Sequence, residues 1–163
     1  MTGALRRAPK IEVRRIYQPE GLEAAAGYRV LVDRLWPRGV RKAGAPIDEW
    51  LRDVAPSTEL RKWYGHAPER FVEFRERYIT ELRCPPASKV ACGLARQARR
   101  APLLLVTATR DVEHSGAVVL RDHLARLAGG DDEEGGDPAC WAEQVCEACG
   151  QIREEPHHCS ADR

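Results

Sequence analysis

Two apolar runs constrain this chain more than any other feature of its sequence: Val30-Leu31-Val32, within Tyr28 to Val32, and Leu103-Leu104-Leu105-Val106. A strand with one face in water alternates apolar and polar residues. A run that is apolar at every position has to be covered on both faces, the condition of a strand inside a parallel or mixed sheet. Helix-length segments separate the two runs, and another follows the second. Strand, helices, strand and helix in this order predict an α/β domain: a small parallel or mixed sheet with helices on both faces.

The remaining elements follow from local signals. Ile11 to Tyr17 reads as a short strand, with Ile11 and Val13 on one face and a register shift toward Ile16. Pro46 opens a short helix over Ile47 to Val54, with Ile47, Trp50, Leu51 and Val54 on its apolar side. Ser57 caps the next helix, and Gly65 ends it. Pro68 to Arg83 is the clearest helix: Phe71, Phe74, Tyr78 and Leu82 fall on one stripe, with Glu73 and Arg77 paired at i,i+4. Pro85-Pro86 stops it. Ser88 caps a helix from Lys89 to Arg100, and Asp111 or Ser115 caps a last one with Ala117, Leu120, Leu124 and Leu127 buried. Trp36-Pro37-Arg38-Gly39 fits a type I turn.

The net charge of +1 conceals a division. Residues 1–128 hold 24 basic and 15 acidic residues (net +9), and residues 129–163 hold 2 basic and 10 acidic (net −8). A basic body predicts anionic partners, either a small molecule or nucleic acid. Three segments result: an α/β domain over 1–128, a Gly/Asp/Glu linker over 129–137, and a Cys/His-rich tail over 138–163. The first ten residues lack the apolar run of a secretory signal, and no stretch approaches the ~20 apolar residues of a membrane span. The expected compartment is the cytoplasm, with no membrane partner.

In α/β sheets the C-terminal ends of the strands form the ligand crevice. The first apolar run delivers Asp33, Arg34 and Arg38 there, and the second delivers Thr107, Thr109, Arg110 and Asp111. Arginine's planar fork grips phosphate or carboxylate at two points. Arg34, Arg38, Lys42, Arg61, Lys62 and Arg110 are therefore candidate anion ligands, joined by Ser57 at a helix start. Asp33, His66 and Asp111 are the candidate proton carriers. Against this stands a structural alternative, in which an Asp–Arg network pins the turn and Asp111 only caps a helix.

The tail offers Cys140, Cys146, Cys149 and Cys159 with His157 and His158. Cys146-x2-Cys149 is the spacing that brings two sulfurs to one tetrahedral Zn²⁺. The expected ligands are Cys140, Cys146, Cys149 and Cys159, with His157 or His158 replacing one, and the zinc would be structural. A redox role for Cys146 and Cys149 lacks the surrounding βαβ pattern such pairs use.

The runs Arg15-Ile16-Tyr17, Val30 to Gly39, Ala55-Pro56-Ser57 through Leu60 to His66, and Phe74-Arg75 through Leu82 together resemble the YeaO-like family, domain of unknown function 488, over about residues 11–127. The resemblance implies one α/β domain of bacterial cytosolic type and assigns it no reaction. The chain departs from the family pattern at Ala67 (an acid or amide), at Arg110 (a lysine) and at Ser115-Gly116, where His-Asn-x-Ala is usual. The last departure removes an amide from the strand-end crevice.

The leading expectation is binding of a phosphate-bearing ligand, a nucleotide or nucleic-acid end, at the Asp33/Arg34/Arg38 turn, with hydrolysis or transfer there if a proton carrier is free. The competing one is a non-catalytic module that docks nucleic acid or an acidic protein and carries a zinc-held tail.

Overall fold

Leu103 to Thr107 forms the axis of the sheet, and all five of its residues are buried. The computed structural model describes residues 9–18, 20, 22 and 26–129. Its four strands are β1 (Ile11–Arg15), β2 (Tyr28–Leu31), β3 (Glu49–Trp50) and β4 (Leu103–Thr107), all parallel in the order β1-β4-β2-β3. Ile11 and Tyr28 both stand opposite Leu103, so the three long strands finish at the same level. The fully apolar β4 is thus flanked on both edges, as its lack of alternation requires.

Alternation instead divides the core. Val30, Val32, Leu103 and Leu105, with Ile11 and Val13, pack against the helices α1 (Thr58–Tyr64), α2 (Phe71–Leu82), α3 (Ala87–Arg100) and α4 (Gly116–Gly129). Leu31, Leu104 and Val106 face the other way with Ile16 and Leu22, under Trp36, Val40, Ile47 and Trp50. Side chains two residues apart share a face of a strand, so Ile16, three residues after Val13, falls on the second cluster by alternation alone, with no shift of register. No described helix is long and apolar enough to cross a membrane.

Several local expectations hold. Ser57 Oγ accepts the Leu60 N–H at 3.1 Å, and Gly65 closes α1 in the left-handed conformation at φ 55°. Phe74, Tyr78 and Leu82 are buried along α2, which a 3₁₀ turn at Pro68–Arg70 introduces, and Glu73 pairs with Arg77.

Three others are corrected. Ile47 to Val54 is not a helix: Glu49 and Trp50 pair with Val30 and Leu31, and only Arg52–Val54 winds into a 3₁₀ turn. Long-range bonds decide this. Asp48 accepts the Arg29 N–H (2.8 Å), Nε–H (3.1 Å) and Nη2–H (2.9 Å), and the Tyr28 hydroxyl donates to Glu49 at 2.5 Å. These hold residues 48–50 extended beside β2, where no local periodicity could announce them. Ser88 caps nothing: α3 begins at Ala87, with Pro86 after a cis peptide at the cap position. The Ser88 N–H already reaches the Cys84 carbonyl at 3.1 Å, and the hydroxyl is buried without a partner. The turn after β2 lies one residue later than expected. The Val40 N–H meets the Pro37 carbonyl at 3.4 Å, and Gly39 takes the third position at φ 76°, the geometry of type II.

The acidic linker and the Cys/His segment, with Cys140, Cys146, Cys149, His157, His158 and Cys159, lie outside the described residues. Among the described residues no cluster of metal-ligating side chains occurs.

Candidate functional site

Parallel strands that end level leave their next residues side by side. Beyond β2 and β4, that geometry brings Asp33 against Thr107 and Ala108. Asp33 Oδ1 accepts the Thr107 hydroxyl at 2.7 Å, and Oδ2 accepts the Ala108 N–H at 2.6 Å. The Asp33 carbonyl accepts the Trp50 indole N–H at 2.8 Å, so one residue ties together the ends of β2, β3 and β4. Burial pushes the Asp33 carboxyl above its ordinary pKa, while the Ala108 N–H, the Thr107 hydroxyl and the nearby charges of His66 and Arg61 pull it back. Each of its oxygens accepts one hydrogen bond from the end of β4, and among the described residues neither is bonded to an arginine.

Past this knot opens a cleft of about 340 Å³. Its cationic lining comes from three separate stretches. Arg34 follows Asp33 directly. Arg38 stands on the Pro37–Val40 turn, whose shape the Tyr17 hydroxyl fixes by donating to the Arg38 carbonyl at 2.9 Å, and the Trp36 indole by donating to that of Val40 at 2.7 Å. Arg61 projects from α1. His66 completes the ring from a left-handed φ of 59°, a conformation that histidine adopts more readily than most residues. The floor is aromatic: Tyr64 and Phe74 stack at 4.2 Å, and the Tyr64 hydroxyl donates to the His114 carbonyl at 2.8 Å.

Three guanidiniums therefore share the cleft with a single carboxylate, and that carboxylate is spent on the sheet. Among the described residues neither Arg34 nor Arg38 has an acidic side chain within ion-pair distance, and both are exposed. An arrangement of this kind can accept an anion without first breaking an internal bridge.

The other residues singled out in the sequence stand elsewhere. Lys42 lies over the rings of Trp36 and Trp50, at 5.6 and 5.4 Å from their centroids. Ser57 is the cap of α1, and its N–H donates to Glu81 at 2.8 Å. Lys62 and Arg110 are exposed and do not line the cleft. Asp111 also lies off it, its carboxylate 2.8 Å from His114 Nδ1, a hydrogen bond that holds its pKa below the ordinary value. Conversely, sequence reasoning did not single out Tyr17, Phe74 or Gly116 as site residues, yet all three line the cleft. Tyr17 was detectable in principle, since it lies two residues past the C-terminal end of β1, at the same end of the sheet as Asp33.

A family model described as the inactive DUF488-N3 subclade matches residues 10–142. The chain belongs to the DUF488 family. Among its relatives, the uncharacterized protein Rv3073c of Mycobacterium tuberculosis is 46% identical over 118 residues, spanning 72% of this chain and 96% of the relative. The uncharacterized protein YeaO of Escherichia coli is 39% identical over 117 residues, spanning 72% of this chain and 98% of its own. No solved structure matches significantly. The match covers nearly the whole length of both DUF488 relatives.

Proposed function

We propose that the chain binds a phosphate-bearing ligand in the cleft beyond β2 and β4 and releases it unchanged. One observation carries this reading: Arg34 and Arg38 line one cleft, and among the described residues no acidic side chain lies within ion-pair distance of either. Arg61 adds a third positive charge from α1. Each charge-assisted hydrogen bond from a guanidinium to a phosphate oxygen contributes about 1.5–3 kcal/mol.

Binding is favoured over turnover for a chemical reason. A general base needs a free lone pair facing the reacting atom. Asp33 is turned toward the end of β4, where each of its oxygens accepts one hydrogen bond, and Asp111 stands off the cleft beside His114. His66 also lines the cleft. The description of the matching subclade as inactive agrees, as does Ser115-Gly116 in place of the amide-bearing run of the wider family pattern.

Calorimetry with inorganic phosphate and pyrophosphate, on wild type and on Arg34→Ala and Arg38→Ala, tests the proposal. Saturable binding that each substitution weakens about tenfold or more is the expected result. Equal affinity in all three proteins would remove the site. Release of phosphate from pyrophosphate or a nucleotide at a rate that His66→Ala abolishes would overturn the non-catalytic part alone.

A further inference from the structure

The cleft is not uniformly polar. Of the described residues, three large hydrophobic side chains are exposed: Tyr17 (43%), Leu35 (61%) and Val72 (72%). Two of these, Tyr17 and Leu35, line the cleft beside the unpaired guanidiniums. Tyr17 is also held at its tip and on its ring: its hydroxyl donates to the Arg38 carbonyl at 2.9 Å, and the Arg15 guanidinium carbon lies over the ring, 5.4 Å from its centroid. Its polar tip is satisfied and Arg15 occupies one side of the ring, yet part of the side chain is left in water at a site otherwise built for an anion. A rigid, exposed ring is a stacking platform, and bases stack on such rings whatever their identity because every base has a π-face.

Building on the anion-site reading, we infer that the ligand is a nucleoside 5′-monophosphate, with its phosphate on Arg34 and Arg38 and its base laid on Tyr17 and against Leu35. Size favours one nucleotide. About 340 Å³ is at the small end of ligand pockets, which run from ~300 to ~1,000 Å³. A sugar phosphate would satisfy the arginines and leave both exposed apolar side chains uncovered.

The experiment compares AMP, UMP, ribose 5-phosphate and inorganic phosphate by calorimetry on the full chain, with Tyr17→Leu and Tyr17→Phe beside wild type. AMP is expected to bind about tenfold or more tightly than ribose 5-phosphate, the effect of one base–aromatic stack. Both substitutions free the Arg38 carbonyl from the Tyr17 hydroxyl, so each is read as the ratio of AMP to ribose 5-phosphate affinity within one protein: Tyr17→Leu should bring that ratio close to one, and Tyr17→Phe, which keeps the ring, should hold it near the wild-type value. Saturation transferred from wild-type protein to the base protons of AMP gives a second readout that needs no variant. Equal affinity for AMP and ribose 5-phosphate overturns the base platform and leaves the anion site intact. A Tyr17→Phe variant that loses the preference for AMP as fully as Tyr17→Leu would also overturn it, because the hydroxyl on the Arg38 turn, and not the ring, would then account for the preference. Tighter, steeply salt-dependent binding of a 5′-phosphorylated oligonucleotide overturns the mononucleotide assignment. Failure of all four compounds to bind removes this inference and the anion site together.

Discussion

Asp33 offers the sharpest test of how the strand ends are held. Asp33→Ala takes away the acceptor for two donors, the Thr107 hydroxyl at 2.7 Å and the Ala108 N–H at 2.6 Å. Leaving a buried donor unsatisfied costs about 1–3 kcal/mol, and loss of a partly buried carboxylate offsets some of this. The expected net loss is about 2–4 kcal/mol. Asp33→Asn behaves differently. Its amide oxygen can take the Ala108 N–H and its NH₂ can donate to Thr107 Oγ1, while the Thr107 proton turns to Thr109 Oγ1, 3.1 Å away. The cost should then be ~1 kcal/mol or less. Urea unfolding at pH 7 measures both as shifts in midpoint at unchanged slope. An alanine variant within ~0.5 kcal/mol of wild type, or an asparagine variant as damaged as alanine, would refute the reasoning.

The same residue makes a pH signature. Its folded pKa is raised above the ordinary 3.8, so the folded state holds the proton more tightly than the unfolded chain does. Ionisation therefore costs stability above the folded pKa and costs nothing below the unfolded one. The advantage of wild type over Asp33→Asn should be largest below pH 3.8 and shrink as pH rises from there through the folded value.

Three further outcomes are expected. Gly27→Ala should lose more than ~2 kcal/mol in urea unfolding, because φ is 135° and a Cβ would stand 2.4 Å from the Pro102 carbonyl oxygen. Tyr78→Phe should lose about 1–2 kcal/mol in the same assay, since it strips the buried Val54 carbonyl of a hydroxyl donor at 2.6 Å. Asp48→Asn should flatten the acid side of the stability profile below about pH 4, where protonating a carboxylate held low by Arg29 removes its bonds; with about a third of its side chain exposed, the loss should stay within ~1 kcal/mol.

The sequence disclosed those elements whose cause is local. An unbroken apolar run marked β4, a serine and a glycine bracketed α1, and a stripe of aromatics drew α2. It concealed elements made by distant partners. Asp48 to Trp50 carry apolar spacing compatible with a helix, and only Arg29 and the edge of β2 draw them out into a strand. The site followed the same division. Arg34 and Arg38 were legible because they follow a strand end. Arg61 and Lys62 are neighbours in sequence, but successive helical residues point about 100° apart, and the cleft takes the first and not the second.

The order β1-β4-β2-β3 also bears on how the chain is made. The strand that bonds to both β1 and β2 is the last of the four to be synthesised, and Ile11 waits for a partner roughly ninety residues downstream. At ~5–20 residues per second, the ribosome leaves β1 without a partner, and β2 with only β3 beside it, for several seconds or more. Nascent-chain handling, and not the finished protein alone, is where a chaperone would meet Val30 to Val32 bare.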